Sequence, residues 1–493
     1  MNNHIYGRAA VEDDRRAPRR VTARVGIFFD GTGNNRVNTR IGADCRAAMQ
    51  AGERHHTAAC AGRHEKSSSS YSNDLTNIAR LAELYRQSPR AVLENNEWRV
   101  YYAVYIGGVG TKSGGRDALW SGQSFGRGTT GVLAKVEVAM KKLNAALASF
   151  AVHNPGCVIQ ALELDLFGFS RGAASARHLV NEVLKRERGV LQALLHDGQI
   201  AWAEEVGWAR GSIQVMVVGL FDTVAAIGSW RDLGNVRDAS NRRVNLYLPA
   251  GCARQVLHLV ARDEQRRNFA LNSIQPGWSR EIVLPGAHSD IGGGYLPCMF
   301  EDVLLTRPRT AVVDCRAPLE HSSLWQQAQA DLEALDGQRW IDPADPSASL
   351  QVQCSKVASR GCDTSLGKQL VMASVCLRRE VLGHLSRVHL RVMHALACDE
   401  GVPFEAITDR AELALPDELQ GVAQRLIAQA RGDEVALSTA EELLLSRRYI
   451  HHSAHWRPVI GTLGGLGDAL FVHAPQTGGR VIHPNVAQPG YPH

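Results

Sequence analysis

Five apolar runs, each closing on a glycine-bearing or acidic polar cluster, restrict the fold more than any other feature of this chain. They are ARVGIFF before DGTGNN, WRVYYAVYI before GGVGT, CVIQALELDLF before GFSRG, IQVMVVGLF before DTV, and REIVL before PGAHSDIGGGY. Runs this apolar, without strict polar alternation, read as strands buried on both faces. Between them lie helical patterns. SNDLTNIARLAELYRQ opens on Asn/Asp and carries Leu75, Ile78, Leu81, Ala82 and Tyr85 at helical spacing. Residues 131–152 and 172–194 are amphipathic in the same way. Alternation of this kind predicts an α/β fold, a mostly parallel sheet flanked by helices, with function collected at the carboxyl ends of the strands.

The pattern divides the chain. Residues 1–22 read as a flexible leader, 23–300 as the catalytic core, and 301–493 as a mainly helical insertion or lid that also completes the core. Residues 40–72 and 113–131 read as loops. Amphipathic stripes in 300–345 and 405–450, with Leu443–Leu445, fit either a core-facing role or a lid that docks on membrane.

Composition narrows the function. At 493 residues, 44% hydrophobic and 21% charged, the chain is globular in type. Its net charge of +5 comes with no long Lys/Arg block beyond the first 24 residues, so no nucleic-acid partner is expected. Ten scattered cysteines, none in C-x-x-C, read as reduced thiols. The polar N-terminus has no apolar h-region, so a Sec signal is not expected, and no run is long enough to span a membrane.

The chemistry centres on Gly168-Phe169-Ser170-Arg171-Gly172. A strand before and a helix after G-x-S-x-G make a sharp turn that exposes the serine hydroxyl. The alternative is an ordinary glycine-rich turn. A serine nucleophile needs a histidine base, an orienting carboxylate and N–H donors for the oxyanion. The Arg171 N–H is one candidate donor, and the Gly31–Thr32–Gly33 turn offers the other. Asp222, at the end of the fourth run, fits the acid, although an aspartate there could equally cap a helix or turn. His288, beside three glycines after the fifth run, fits the base or a structural histidine. His451, His452 and His455 compete on topology, because the base commonly follows the last strand; His178 is a weaker rival. His451 and His455 are four apart but lack the glutamate of H-E-x-x-H, so no metal or cofactor is expected.

Taken in order, FFDGTGNN, YIGGVGT, GFSRGAA, LFDTV, ARDEQRRNF and GAHSDIGGGY resemble the first class of phospholipase effectors of type VI secretion. The resemblance covers residues 24 to 300, and YIHHS resembles a later segment of that family. It implies an α/β-hydrolase core and phospholipase A activity, with Ser170 as nucleophile, Asp222 as acid and His288 as base. It also implies a phospholipid membrane substrate, carriage on a VgrG-type spike, action in a target cell's periplasm, and a cognate immunity protein. Two other readings remain open at this point: a general carboxylesterase or thioesterase with the same triad, and a non-catalytic scaffold built on a hydrolase fold.

Overall fold

The computed structural model describes residues 17–52, 70–114, 131–225, 244–335, 337–356, 367–457, 473–487 and 491. Its centre is a seven-stranded sheet. Strands β1 (Arg19–Phe29), β2 (Ser88–Glu94), β3 (Glu97–Ile106), β4 (Cys157–Phe169), β5 (Ile213–Phe221), β6 (Gln255–Ala261) and β8 (Glu281–Leu284) lie in the order β2-β3-β1-β4-β5-β6-β8. Only β2 runs antiparallel to its neighbour. A short strand, β7 (Leu271–Asn272), lies off the sheet and pairs in parallel with β13 (Ile482–His483).

Alternate side chains divide the core into two faces. Val25, Ile27, Leu164, Leu166, Val218 and Leu220 pack under the helices Val132–Ala148 and Arg171–Leu184. Phe28, Phe167, Val217 and Phe221 pack against Asn77–Leu84, Leu385–Asp399 and Asp417–Arg431. Each fully buried Phe or Leu contributes about 2 kcal/mol by removing apolar area from water. Coverage of both faces explains why these strands lack polar alternation.

Several expectations change. The sheet begins at Arg19, inside the expected leader; residues 1–16 lie outside the described residues. The basic stretch looked like a solvated tail because its charges are paired at a distance. Arg20 meets Glu205, and Arg24 makes a buried 2.8 Å pair with Asp165. The 40–72 loop contains part of a helix, Arg36–Gln50, capped by the Asn35 side chain. Its inward face is small and polar (Asn38, Thr39, Gly42), which hid the helical period. Strand β6 was missed because His258 and a following charged segment interrupt its pattern; His258 is buried and paired with Glu281 at 2.9 Å.

Among the described residues, 301–493 holds an antiparallel sheet beside its helices. β9 (Met299–Leu304), β10 (Arg309–Asp314), β11 (Ser349–Lys356) and β12 (Lys368–Val381) form an antiparallel sheet centred on β12. Arg379 masks the end of β12: it is buried, pairs with Glu301 at 3.0 Å and donates to the Ser446 and Ile450 carbonyls. The 405–450 stripe is core, since Leu419, Val422, Leu426 and Leu445 are buried against the main sheet's helices. Among the described residues, no helix is long and apolar enough to cross a membrane. The cysteines are not all reduced: Cys45 is disulfide-bonded.

Candidate active site

The carboxyl ends of β1, β4 and β5, together with the segments that follow β6 and β8, converge on one polar centre. Ser170 follows β4 directly and precedes the helix Arg171–Leu184. Its backbone sits at φ 56°, ψ −123°, a strained conformation for a residue with a Cβ. The flanking glycine is forced by crowding. A Cβ on Gly172 would stand 2.2 Å from the Phe29 carbonyl oxygen and 2.5 Å from that of Asp30. The helix can therefore start over the end of β1 only with glycine there. The Ser170 N–H donates to the Phe221 carbonyl at 3.0 Å, which ties the elbow to the residue before Asp222.

Asp222 is fully buried at the end of β5. Its Oδ2 lies 2.5 Å from Nδ1 of His288, and its Oδ1 accepts from the Ala261 N–H at 3.0 Å. Burial alone would push the carboxyl up. The Arg480 charge and the hydrogen bonds from His288 and Arg480 outweigh it and hold Asp222 well below the usual carboxylate range. His288 opens a five-residue helix, His288–Gly292. Burial pushes its imidazole down, against the Asp222 hydrogen bond. Two rings seat it: Phe169 lies tilted 4.7 Å away and Phe269 edge to face at 4.8 Å, centroid to centroid. Phe169 fits because Gly31 and Gly292 have no side chains; a Cβ on either would stand 2.4 Å or 2.1 Å from its ring.

The expected oxyanion residues also gather here, with one change. The Arg171 side chain donates to the Thr32 hydroxyl, joining helix and turn. The Gly31 N–H, however, is taken by the Asp30 carboxylate at 2.7 Å, and the Gly33 N–H by the Val109 carbonyl at 3.0 Å. Thr32 is thus the turn residue whose N–H is uncommitted among the described residues. Asp30 is itself fixed by Thr76 at 2.7 Å and Tyr105 at 2.5 Å.

The competing histidines are engaged elsewhere. His451 Nδ1 lies 2.7 Å from Asp290 and its ring stacks on Tyr295. The His452 backbone N–H donates to Glu301 at 2.7 Å, and its ring packs edge-on against Trp340. His455 Nδ1 accepts from the Arg457 N–H at 3.2 Å, and His178 Nδ1 from the Asn245 N–H at 3.2 Å. Among the described residues, no group of three or more His, Cys, Asp or Glu is arranged to hold a metal ion.

The family model of the type VI secretion phospholipase effectors, Tle1-like, catalytic domain, matches residues 185–307, a span that holds both Asp222 and His288. A solved structure of the Tle1 effector bound to the VgrG spike of the type VI secretion system matches at TM-score 0.71 and 29% identity, covering 97% of this chain and 98% of that one. The chain is thus similar to Tle1 effectors, in sequence over residues 185–307 and in fold over nearly its whole length. An uncharacterized protein from Pseudomonas aeruginosa matches at 19% identity and TM-score 0.36 over 87% of this chain and 53% of its own, too distant to bear on the site. No curated protein sequence matches.

Three supports of the centre escaped sequence reasoning. Glu264 accepts the backbone N–H of His288 at 3.2 Å and is clamped by Arg266 at 2.8 Å and Ser453 at 3.1 Å. It sits inside ARDEQRRNF, a stretch whose motif was visible although its role was not. His258 accepts the Thr223 N–H at 3.1 Å, just behind Asp222. Arg480 pairs with Asp222 from far along the chain.

The buried acids predict how stability responds to pH. Burial would raise Glu264, but Arg266 outweighs it and holds the carboxyl down to about 2; burial is likewise outweighed at Glu281, held down to about 2 by His258. A depressed carboxylate stabilises the fold above its ordinary value near 4.5 and loses that contribution as pH falls towards about 2. For Glu264 the loss is about 3 kcal/mol. The thermal midpoint is expected to drop steeply below about pH 4.5, and less steeply in Glu264→Gln. An equal slope in both proteins would contradict the assignment.

Proposed function

We propose that this chain is a serine phospholipase A that cleaves acyl esters of glycerophospholipids. The observation that carries the reading is Ser170 on a strained glycine-flanked elbow, joined through Phe169 and Phe221 to the buried Asp222–His288 pair. The order of strand ends, Ser170 after β4, Asp222 after β5 and His288 after β8, fits an α/β-hydrolase. His288 takes the Ser170 proton as Oγ attacks the ester carbonyl carbon. Asp222 orients the imidazole and offsets its charge. The N–H groups of Arg171 and Thr32 receive the oxyanion, and each such donor is worth about 3 kcal/mol of barrier. Collapse expels the lysophospholipid oxygen, which recovers the proton from His288. Water then attacks the acyl-serine and releases the fatty acid. Similarity to the Tle1 effector bound to VgrG supports delivery on a VgrG-type spike; the proposal adds action in a neighbouring cell's periplasm and an immunity protein that guards the producer.

The test is product analysis on phosphatidylethanolamine–phosphatidylglycerol vesicles, with a fluorophosphonate probe in parallel. One fatty acid and one lysophospholipid per turnover, with probe labelling, is the expected result. Hydrolysis of soluble esters or thioesters alone would favour the general esterase. Absence of labelling and turnover would favour the scaffold.

A further inference from the structure

Asp222 has a partner that a Ser-His-Asp arrangement does not require. Arg480 closes a bidentate pair on it, with Nη1 2.7 Å from Oδ1 and Nη2 2.8 Å from Oδ2. The Arg480 Nε donates to the Phe269 carbonyl at 2.7 Å, and the pair is buried, at 9% and 0% side-chain exposure. The arginine arrives on a C-terminal strap, residues 473–487, laid along residues 265–275. Backbone bonds join Arg267 to Ala474, Gln476 to Gln265, Leu271 to Val481 and Ser273 to His483. Beyond them, the Asn485 side chain accepts from the Leu248 N–H at 2.9 Å and donates to the Pro276 carbonyl at 3.1 Å. The strap is therefore fastened on both sides of Arg480.

We propose that Arg480 is a positioning residue of the catalytic centre and that the C-terminal strap completes that centre. The inference rests on the serine-hydrolase reading above. A planar guanidinium fork fixes the plane of the carboxylate it binds. It thereby fixes the direction in which Oδ2 faces the imidazole. A second effect is electrostatic. The charged groups facing His288 are Asp222 from β5 and Glu264 and Arg266 from the segment after β6, with Arg480 behind Asp222. The positive charge of Arg480 offsets part of the Asp222 charge felt by the imidazole. His288 then remains a neutral base to lower pH than Asp222 alone would allow.

Full-length Arg480→Met and Arg480→Lys are to be compared with wild type and Ser170→Ala on a short-chain soluble ester between about pH 5 and 9. Arg480→Met is expected to lower kcat by about 10²-fold with KM within about twofold. Its acidic limb of kcat/KM is expected about one pH unit higher, because the imidazolium then faces an uncompensated carboxylate. Arg480→Lys keeps the charge without the fork; the limb returns to its wild-type position while kcat stays intermediate. Wild-type kcat and limb in Arg480→Met, beside an inactive Ser170→Ala, would overturn the role of Arg480 and leave the hydrolase reading intact. Full activity in Ser170→Ala would overturn that reading and this inference with it. If Arg480→Met does not fold, Arg480→Lys decides, and an unchanged kcat there overturns the proposal.

Discussion

Ser170→Ala is expected to lower kcat on phospholipid vesicles by on the order of 10⁶-fold, with the thermal midpoint nearly unchanged. The loss is large because, in the proposed mechanism, the serine, base and acid act as a unit, and without the hydroxyl only binding and the oxyanion donors remain. The fold tolerates the change because alanine keeps the Cβ already accommodated at φ 56°. Ser170→Gly is equally inactive but should unfold at a higher temperature, since it recovers part of the roughly 1–3 kcal/mol stored in such a backbone. That stability gain separates a strained nucleophile elbow from a relaxed turn. Residual activity within about tenfold of wild type in Ser170→Ala would remove the serine from the mechanism.

Asp222→Ala is expected to damage activity and stability together. Activity should fall by about 10⁴-fold, as the imidazole loses the group that sets its tautomer and offsets its charge. Stability should fall by about 3–5 kcal/mol, because Arg480 keeps a buried guanidinium with no carboxylate to face. The double variant Asp222→Ala/Arg480→Met isolates the second effect. It should recover much of the stability and none of the activity, a coupling that a thermodynamic cycle measures directly. Additive stability losses would mean that the two side chains do not depend on each other.

The parts of the site legible in the sequence are those that follow a strand within a few residues. Ser170, Asp222, His288 and the Thr32 turn each stand at the end of an apolar run, so strand periodicity and glycine placement found them. Gly31 was a near miss, because its N–H is claimed by the side chain of the residue before it. The C-terminal half was misread where charge is buried. In SVCLRREV the charge is buried: Arg379 meets Glu301 and four carbonyl oxygens. The same cause hid β6 behind His258, which is buried against Glu281.

By itself the sequence determined the alternating α/β layout and the residues at the strand ends, because both follow from local periodicity and from the backbone freedom of glycine. Only the tertiary structure decided which histidine meets Asp222, since His288 and His451 each hold a carboxylate and differ only in which one lies within reach. It also decided that Arg480, 258 residues from Asp222, is the counter-charge of that carboxylate. Burial makes such a pairing obligatory, because a desolvated carboxylate must find a partner, but it leaves no spacing in the chain by which to foresee it.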